Sequence, residues 1–212
     1  MRSRNLTLWI VLSIVVVLLF IGCGQYNGLV SQDETVKNAW NKVQSDYQRR
    51  ADLIPNLVNT VKGEANFERG TLNDVINARA RATQMNISPD NLTPENIQKF
   101  QQAQAQLSGS LSRLLVTVEQ YPTLRANDAF RNLQAQLEGT ENRIKTSRND
   151  FNDAVQVYNT KVRRFPTNIF AGIMGFHPRQ GFTADPGSER APNVNFDDQP
   201  RQPSVNFDSS RK

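Results

Sequence analysis

The feature that most constrains the fold of this chain is a strict seven-residue spacing of large side chains in its second half. These residues are Phe130, Leu137, Ile144, Phe151, Tyr158 and Phe165. An apolar repeat of seven is the period of a helix that packs along other helices through a coiled-coil-like seam. The pattern predicts one helix over residues 128–165, about 57 Å long at 1.5 Å per residue.

Three earlier segments carry apolar residues at alternating spacings of three and four. They predict helices over residues 29–62, 64–84 and 94–121. Because short polar loops join the helices and no strand pattern interrupts them, the sequence predicts an all-α fold. Its expected architecture is an elongated antiparallel four-helix bundle with coiled-coil-like packing. Pro55 lies inside the first helix, where a missing backbone hydrogen bond predicts a kink.

An apolar run of eighteen residues without a charge, Leu6–Cys23, precedes the bundle. A helix of that length spans about 27 Å, close to a hydrocarbon core of roughly 30 Å. The run therefore predicts an N-terminal transmembrane helix within an anchor at residues 1–24. Arg2 and Arg4 precede it, which places the N-terminus in the cytoplasm and the body outside. The alternative is a lipoprotein signal with Cys23 as the lipidated residue.

The residue composition argues against an enzyme. The chain has one Cys and one His, which excludes an internal disulfide and the paired Glu-x-x-His motifs of a di-iron bundle. No nucleophile–base pair, phosphate-binding glycine loop or ligand cluster appears at a workable spacing. We therefore predict no catalytic, cofactor-binding or metal-binding residue. The net charge is +5 without a basic block interleaved with aromatics, so no nucleic-acid partner is expected.

One charged residue falls on an apolar seam. Arg50 occupies a core position of the first helix, and the second track of the last helix also carries polar residues. A buried contact of Arg50 with Glu141 or Glu119 would fix the register of the helices at some cost in stability. The alternative is that Arg50 extends to water beside a thin bundle.

A short apolar piece at residues 168–176 follows the last long helix. It carries no charge and is too short to span a bilayer. The pattern predicts a short helix folded onto the end of the bundle. The alternative is an exposed apolar patch for a partner or a membrane surface.

The composition then turns to Pro, Asp, Asn, Ser and Arg from His177 onward, which predicts disorder, and we assign residues 183–212 to a disordered tail. The tail contains Pro-x-Val-Asn-Phe-Asp twice, eleven residues apart. Two flexible copies would raise the avidity for a groove or a sheet edge. The alternative is a duplication without function. The candidate docking residues are Val194, Phe196, Val205 and Phe207.

Many stretches of the chain resemble hallmark sequences of the LemA family, in the same order. They lie at Tyr26–Val30, Arg49–Val58, Asn77–Ala80, Leu111–Leu115, Val118–Pro122, Leu137–Ile144, Tyr158–Thr160, Phe165–Pro166 and Gly175–Phe176. The resemblance implies a bacterial, single-span membrane protein with a long helical bundle, here residues 25–182, and it assigns no catalytic residue. One branch of the family is similar to proteins of magnetosome membrane formation, and other members look like partners of membrane proteases.

These features lead to one functional expectation with two alternatives. We expect a non-enzymatic, membrane-anchored helical scaffold or interaction protein of the bacterial envelope, on the periplasmic side. Its expected partners are the lipid bilayer, envelope proteins and further copies of itself. The alternatives are a membrane-shaping or membrane-surface-binding protein, or an accessory subunit of an envelope protease or signalling system.

Overall fold

A computed structural model describes residues 2–64 and 67–183, and this part of the chain contains α-helices and no strand. The all-α prediction is confirmed. The candidate docking residues of the tail, Val194, Phe196, Val205 and Phe207, lie outside the described residues. The helices are α1 (Arg2–Lys62), α2 (Arg69–Gln84), α3 (Pro94–Val118), α4 (Pro122–Ala126), α5 (Asp128–Arg163) and α6 (Thr167–Met174), with one 3-10 turn at Pro89–Asn91.

The first helix, α1, runs without interruption through Pro55. A proline inside a helix costs about 3 kcal/mol, and burial on both sides of it offsets that cost. Ile54 and Leu57 are fully buried. The sequence preference for one helix rather than two therefore agrees with the observed element, and the kink at Pro55 stays a prediction.

Several helix boundaries differ from those predicted. α1 begins at Arg2 rather than at residue 29, so the predicted anchor and the first bundle helix form one element, and α5 ends at Arg163 rather than at residue 165. α2 begins at Arg69 rather than at residue 64, because Phe67 is buried beside Tyr121 and the chain needs a loop to place it there. α3 ends at Val118 rather than at residue 121. A separate short helix, α4, then starts at Pro122, which suits a first helical position because it has no amide hydrogen to satisfy.

The long helices pack around two buried clusters, one in each half of the bundle. α5 runs antiparallel to α1, since Lys42 of α1 meets Asp150 and Arg50 meets Glu141. α2 and α3 form a hairpin on this pair. Buried side chains from all four helices meet in the half of the bundle beyond Arg50, and they include Leu57, Val61, Val75, Ala78, Leu107, Leu114 and Leu137.

The other half of the bundle has an aromatic core. The ring of Trp40 lies 5.2 Å from Phe100 and 5.3 Å from Phe151, and its Nε1 donates to the carbonyl of Ile87 at 3.0 Å. Here the α2–α3 connection, the first turns of α3 and the chain after α6 contribute to the core. Phe182 completes the cluster, with its ring 5.8 Å from Trp40.

The predicted start of disorder at His177 is wrong for residues 177–183. Gly175 ends α6 in the left-handed region at φ 78°, which a glycine adopts without strain. The chain then turns back along the bundle, and Phe182 is only 8% exposed. Composition predicted disorder because it contains no information about tertiary contacts. Here Phe182 packs in an aromatic pocket and the main chain forms hydrogen bonds with side chains of α5.

No helix among the residues that the structure describes is both long and apolar enough to cross a membrane. The transmembrane helix at Leu6–Cys23 therefore stays a prediction.

Candidate functional site

The polar seam of the bundle is centred on Arg50, whose side chain is 1% exposed. Its Nη1 donates to Glu141 Oε1 at 2.5 Å and to Ser108 Oγ at 2.8 Å, and its Nη2 donates to Gln104 Oε1 at 2.6 Å. The ring of Tyr47 lies 5.0 Å from the guanidinium carbon. Arg50 thus does not extend to water, and of the two predicted acids the structure brings Glu141 to it.

The second predicted acid, Glu119, is exposed at the end of α3, and no contact with Arg50 occurs in the described part of the chain. Sequence reasoning missed Gln104 and Ser108 as partners. The available signal was Gln104, which interrupts the apolar stripe of α3. Its carboxamide is buried at 6% exposure and serves both Arg50 and the helix behind it, donating to the carbonyl of Ala82 at 3.5 Å.

The electrostatics of the seam indicate that it defines the register of the helices more than it stabilises the fold. The side chain of Glu141 is 49% exposed, so water screens its charge and weakens the ion pair. The Nε of Arg50 is buried, and no hydrogen-bond partner for it is found in the described structure. Burial also raises the pKa of the Tyr47 hydroxyl above its ordinary value. These features suit a contact that sets helix register, the role predicted from sequence.

A second constellation holds residues 177–182, which we call the C-terminal segment. Two asparagines of α5, seven residues apart, bind its main chain. Each of them bonds both the amide and the carbonyl of one residue of the segment. Asn159 Oδ1 accepts from the Arg179 amide at 2.8 Å, and its Nδ2 donates to the Arg179 carbonyl at 2.7 Å. Asn152 makes the same pair of bonds with Phe182, at 2.8 and 3.3 Å.

The C-terminal segment is nearly fully extended. Asn159 and Asn152 are about 10.5 Å apart along α5 at 1.5 Å per residue, and three residues of extended chain cover about the same distance. The hydroxyl of Tyr158 donates to the carbonyl of His177 at 3.1 Å, and burial raises the pKa of that hydroxyl. Two asparagines at this spacing in a helix were the signal that sequence reasoning overlooked, since asparagine is a poor helix former.

Charged side chains attach the C-terminal segment to the neighbouring elements. Arg179 pairs with Asp33 of α1 at 2.7 Å and donates to the carbonyl of Pro89 at 3.2 Å. Lys37 lies next to this pair and meets Asp33 at 3.2 Å and Asp90 at 2.7 Å. The hydrogen bond with Asp90 raises the pKa of Lys37 well above its ordinary value, and the same bond lowers the pKa of Asp90.

The short helix α6 packs on α1 near Gly22 and Gln25 and on α5, as the fold-back interpretation predicts. Thr167 Oγ1 donates to Gln25 Oε1 at 2.7 Å, and the ring of Phe176 meets Tyr26 at 6.0 Å. The outer face of α6 nevertheless stays apolar and exposed. Its large exposed apolar residues are Ile169, Ile173 and Met174, and Phe165 just before α6 is exposed as well. Both sequence interpretations of this piece thus describe part of what is seen.

The remaining candidates carry little chemistry of their own. Cys23 is exposed inside α1, at the end of the apolar run. His177 is exposed and contributes only its carbonyl. Within residues 2–64 and 67–183, no group of three or more His, Cys, Asp and Glu side chains is placed to hold a metal ion.

Comparisons with known proteins agree with the helical architecture and the resemblance of the motifs. The magnetosome proteins MamQ 1 and MamQ 2 of Paramagnetospirillum magneticum are each 26% identical over 198 residues, covering 84% of this chain and 73% of the relative. Protein LemA of Metamycoplasma hominis is 24% identical, covering 72% of this chain and 66% of the relative. The family model described as "LemA family" matches residues 39–196, most of the chain. The protein therefore belongs to the LemA family.

Proposed function

We propose that the chain is a non-enzymatic helical scaffold of the bacterial envelope, anchored by one helix at Leu6–Cys23, which binds other envelope proteins. The observation that carries this proposal is an apolar surface at one end of the bundle. Trp9 and Phe20 of α1 are 67% and 76% exposed, and Ile173 of α6 is 79% exposed. Because Phe170 of α6 lies against α1 at Gly22, these surfaces are neighbours. Large exposed apolar patches require a lipid or protein cover.

The form of the anchor is decided by the mass of the chain extracted from membranes. A spanning helix leaves the chain at its full 24.0 kDa. Lipidation at Cys23 would instead remove residues 1–22 and add acyl groups. We expect the full mass, and we expect Cys23→Ser to stay in the membrane fraction. A shortened, acylated chain would replace the spanning helix by the lipoprotein alternative.

The orientation of the anchor follows from Arg2 and Arg4, which favour a cytoplasmic N-terminus. Single cysteines in a Cys23→Ser chain test it with a thiol reagent that does not cross membranes. Ser112→Cys lies on the exposed surface of α3 and should react in intact spheroplasts. Ser3→Cys should react only after lysis. The reverse pattern would overturn the extracytoplasmic placement of the bundle.

The scaffold role is tested by crosslinking the membrane-bound protein in cells, followed by mass spectrometry. We expect reproducible crosslinks from the bundle to at least one other envelope protein. If that protein is a protease or a receptor, the chain is an accessory subunit of that system. Crosslinks to no other envelope protein would refute the scaffold function. A chain ending at Thr183 serves as the matched control, because it keeps every described helix and removes residues 184–212.

A second candidate function is binding to the membrane surface through α6. Its exposed face carries Ile169 and Ile173 without any charge, and the exposed Arg163 and Arg164 lie four and three residues before its first residue. Apolar side chains beside basic ones are typical of helices that lie in the interface of an anionic membrane.

This second function is tested by the depth of a fluorescent label in vesicles that contain brominated lipids. The label is placed at Ile173→Cys, with Ser112→Cys as the control far along the bundle, both in a Cys23→Ser chain. We expect quenching at position 173 and none at position 112. Equal fluorescence at both positions would show that α6 does not enter the interface.

A further inference from the structure

The groove between α1 and α5 is built to hold an extended peptide. Asn152 and Asn159 bind main-chain groups of the C-terminal segment, so these contacts depend on its side chains only at Gly181, which lies against Asn152. Only one side chain enters the core. Phe182 fills a pocket formed by Trp40, Phe100 and Phe151, with ring distances of 5.8, 6.4 and 5.5 Å. Main-chain contacts together with one apolar pocket are a common way for a groove to bind an extended peptide that carries a phenylalanine at the right place.

The sequence contains further segments of this form. In the bound segment, Phe182 follows Pro178 by four residues. The same spacing occurs in both tail repeats, from Pro192 to Phe196 and from Pro203 to Phe207. We propose that the groove of one copy also binds the Pro-x-x-x-Phe-Asp repeats of a second copy, in place of its own C-terminal segment. This inference does not depend on the proposed anchor.

Charge supports the repeats as the occupant. Arg148 of α5 lies over the ring of Phe182, with its guanidinium carbon 4.8 Å from the ring centre. In both repeats an acid follows the phenylalanine directly, as Asp197 and Asp208. A repeat phenylalanine in the pocket would bring its acid next to Arg148, and a partly buried ion pair of this kind contributes to affinity and specificity.

The same contacts indicate that the repeats bind more weakly than the C-terminal segment. A repeat lacks Arg179, and with it the 2.7 Å pair to Asp33. It also has Asn195 at the place of Gly181, where a Cβ would lie 2.5 Å from Asn152 Oδ1, so the Asn152 side chain has to shift. Two repeats in each tail offset part of this loss by raising the local concentration of ligand. The result is an exchangeable link between copies.

A photocrosslinking amino acid at position 196 of the full chain tests the proposal directly. Copies that carry it are mixed with copies labelled with heavy nitrogen, so that links between two copies are told apart from links within one. We expect links between copies that reach Trp40 and Phe151. Links confined to a single copy, or links between copies that reach other surfaces, would overturn the proposal.

Peptide binding to the full chain in detergent micelles provides an independent test. The probe is a fluorescent peptide of residues 190–199. Its Phe196→Ala form should bind about ten- to one-hundredfold more weakly, the loss expected for one buried phenylalanine ring. The chain with Arg179→Ala should bind the probe several-fold more tightly, because its own C-terminal segment is held less firmly.

Variants of α5 locate the peptide on the groove. Arg148→Ala should reduce binding of the probe, because an acid follows the phenylalanine in the repeats and not in the C-terminal segment, whereas Asn149→Ala, an exposed residue of the same helix, should not. Equal affinity of the wild-type and Phe196→Ala peptides would refute the proposal. So would an Arg179→Ala chain that binds the probe no better than the wild type. Circular dichroism of each variant verifies that its helices are intact.

Discussion

The seam around Arg50 allows a quantitative prediction about which of its partners matters. Arg50 and Gln104 are 1% and 6% exposed, whereas the carboxylate partner Glu141 is half exposed. Leaving a buried polar group without its partner costs about 1–3 kcal/mol. An exposed ion pair is worth about 0–1 kcal/mol. The neutral amide partner should therefore contribute more to stability than the charged one.

Three variants express this prediction as changes in the free energy of unfolding. Glu141→Gln should cost less than about 1 kcal/mol, because water already screens the carboxylate and the amide oxygen still accepts a hydrogen bond. Gln104→Leu and Arg50→Met should each cost about 1–3 kcal/mol, because each strands the other buried group. The double variant should cost less than the sum of the two, since no buried partner is stranded and the unpaired Nε of Arg50 is removed.

The assay is urea unfolding of the full chain in detergent micelles, followed by far-ultraviolet circular dichroism. The variants are compared only where the dependence of the unfolding free energy on urea concentration is the same as in the wild type. Ser112→Ala, on the exposed surface of α3, serves as a control outside the seam. The reasoning is refuted if Glu141→Gln costs as much as Gln104→Leu. It is also refuted if the costs of Gln104→Leu and Arg50→Met simply add.

Two further predictions concern the C-terminal segment and its charged neighbours. Asn152→Ala should speed tryptic cleavage after Arg179, because it removes two main-chain hydrogen bonds that hold the segment, whereas Asn149→Ala should leave the cleavage rate unchanged. Lys37 lowers the pKa of Asp90 below its ordinary value of 3.8 in the folded chain. The wild type should therefore be more stable than Asp90→Asn above pH 3.8, and this difference should vanish as the pH falls through the lowered pKa. A difference that grows on acidification, measured by thermal unfolding at several pH values, would contradict this assignment.

The helices were the most predictable part of the molecule. The seven-residue repeat predicted α5 to within two residues of its observed end. Apolar periodicity is a local property of the sequence, and the apolar face that it defines is the face that packs in the bundle. The seam position of Arg50 was likewise readable, because a charge on an apolar stripe has to find a polar partner or leave the core. The choice of Glu141 over Glu119 was not readable, since it depends on how far α3 and α5 are displaced along α1.

What the sequence determined by itself is the all-helical fold, the extent of α5 to within two residues and the presence of a polar residue in the seam of the bundle. These follow from spacing along one chain. For the C-terminal segment the composition predicted disorder, whereas the family resemblance included it in the bundle, and the tertiary structure decided between the two. Its stability comes from Phe182 entering an aromatic pocket and from Asn152 and Asn159, which lie some twenty to thirty residues away along the chain. Local composition describes only residues that are close in the sequence. The partners of this segment are close to it only in the folded chain, so composition could not predict them.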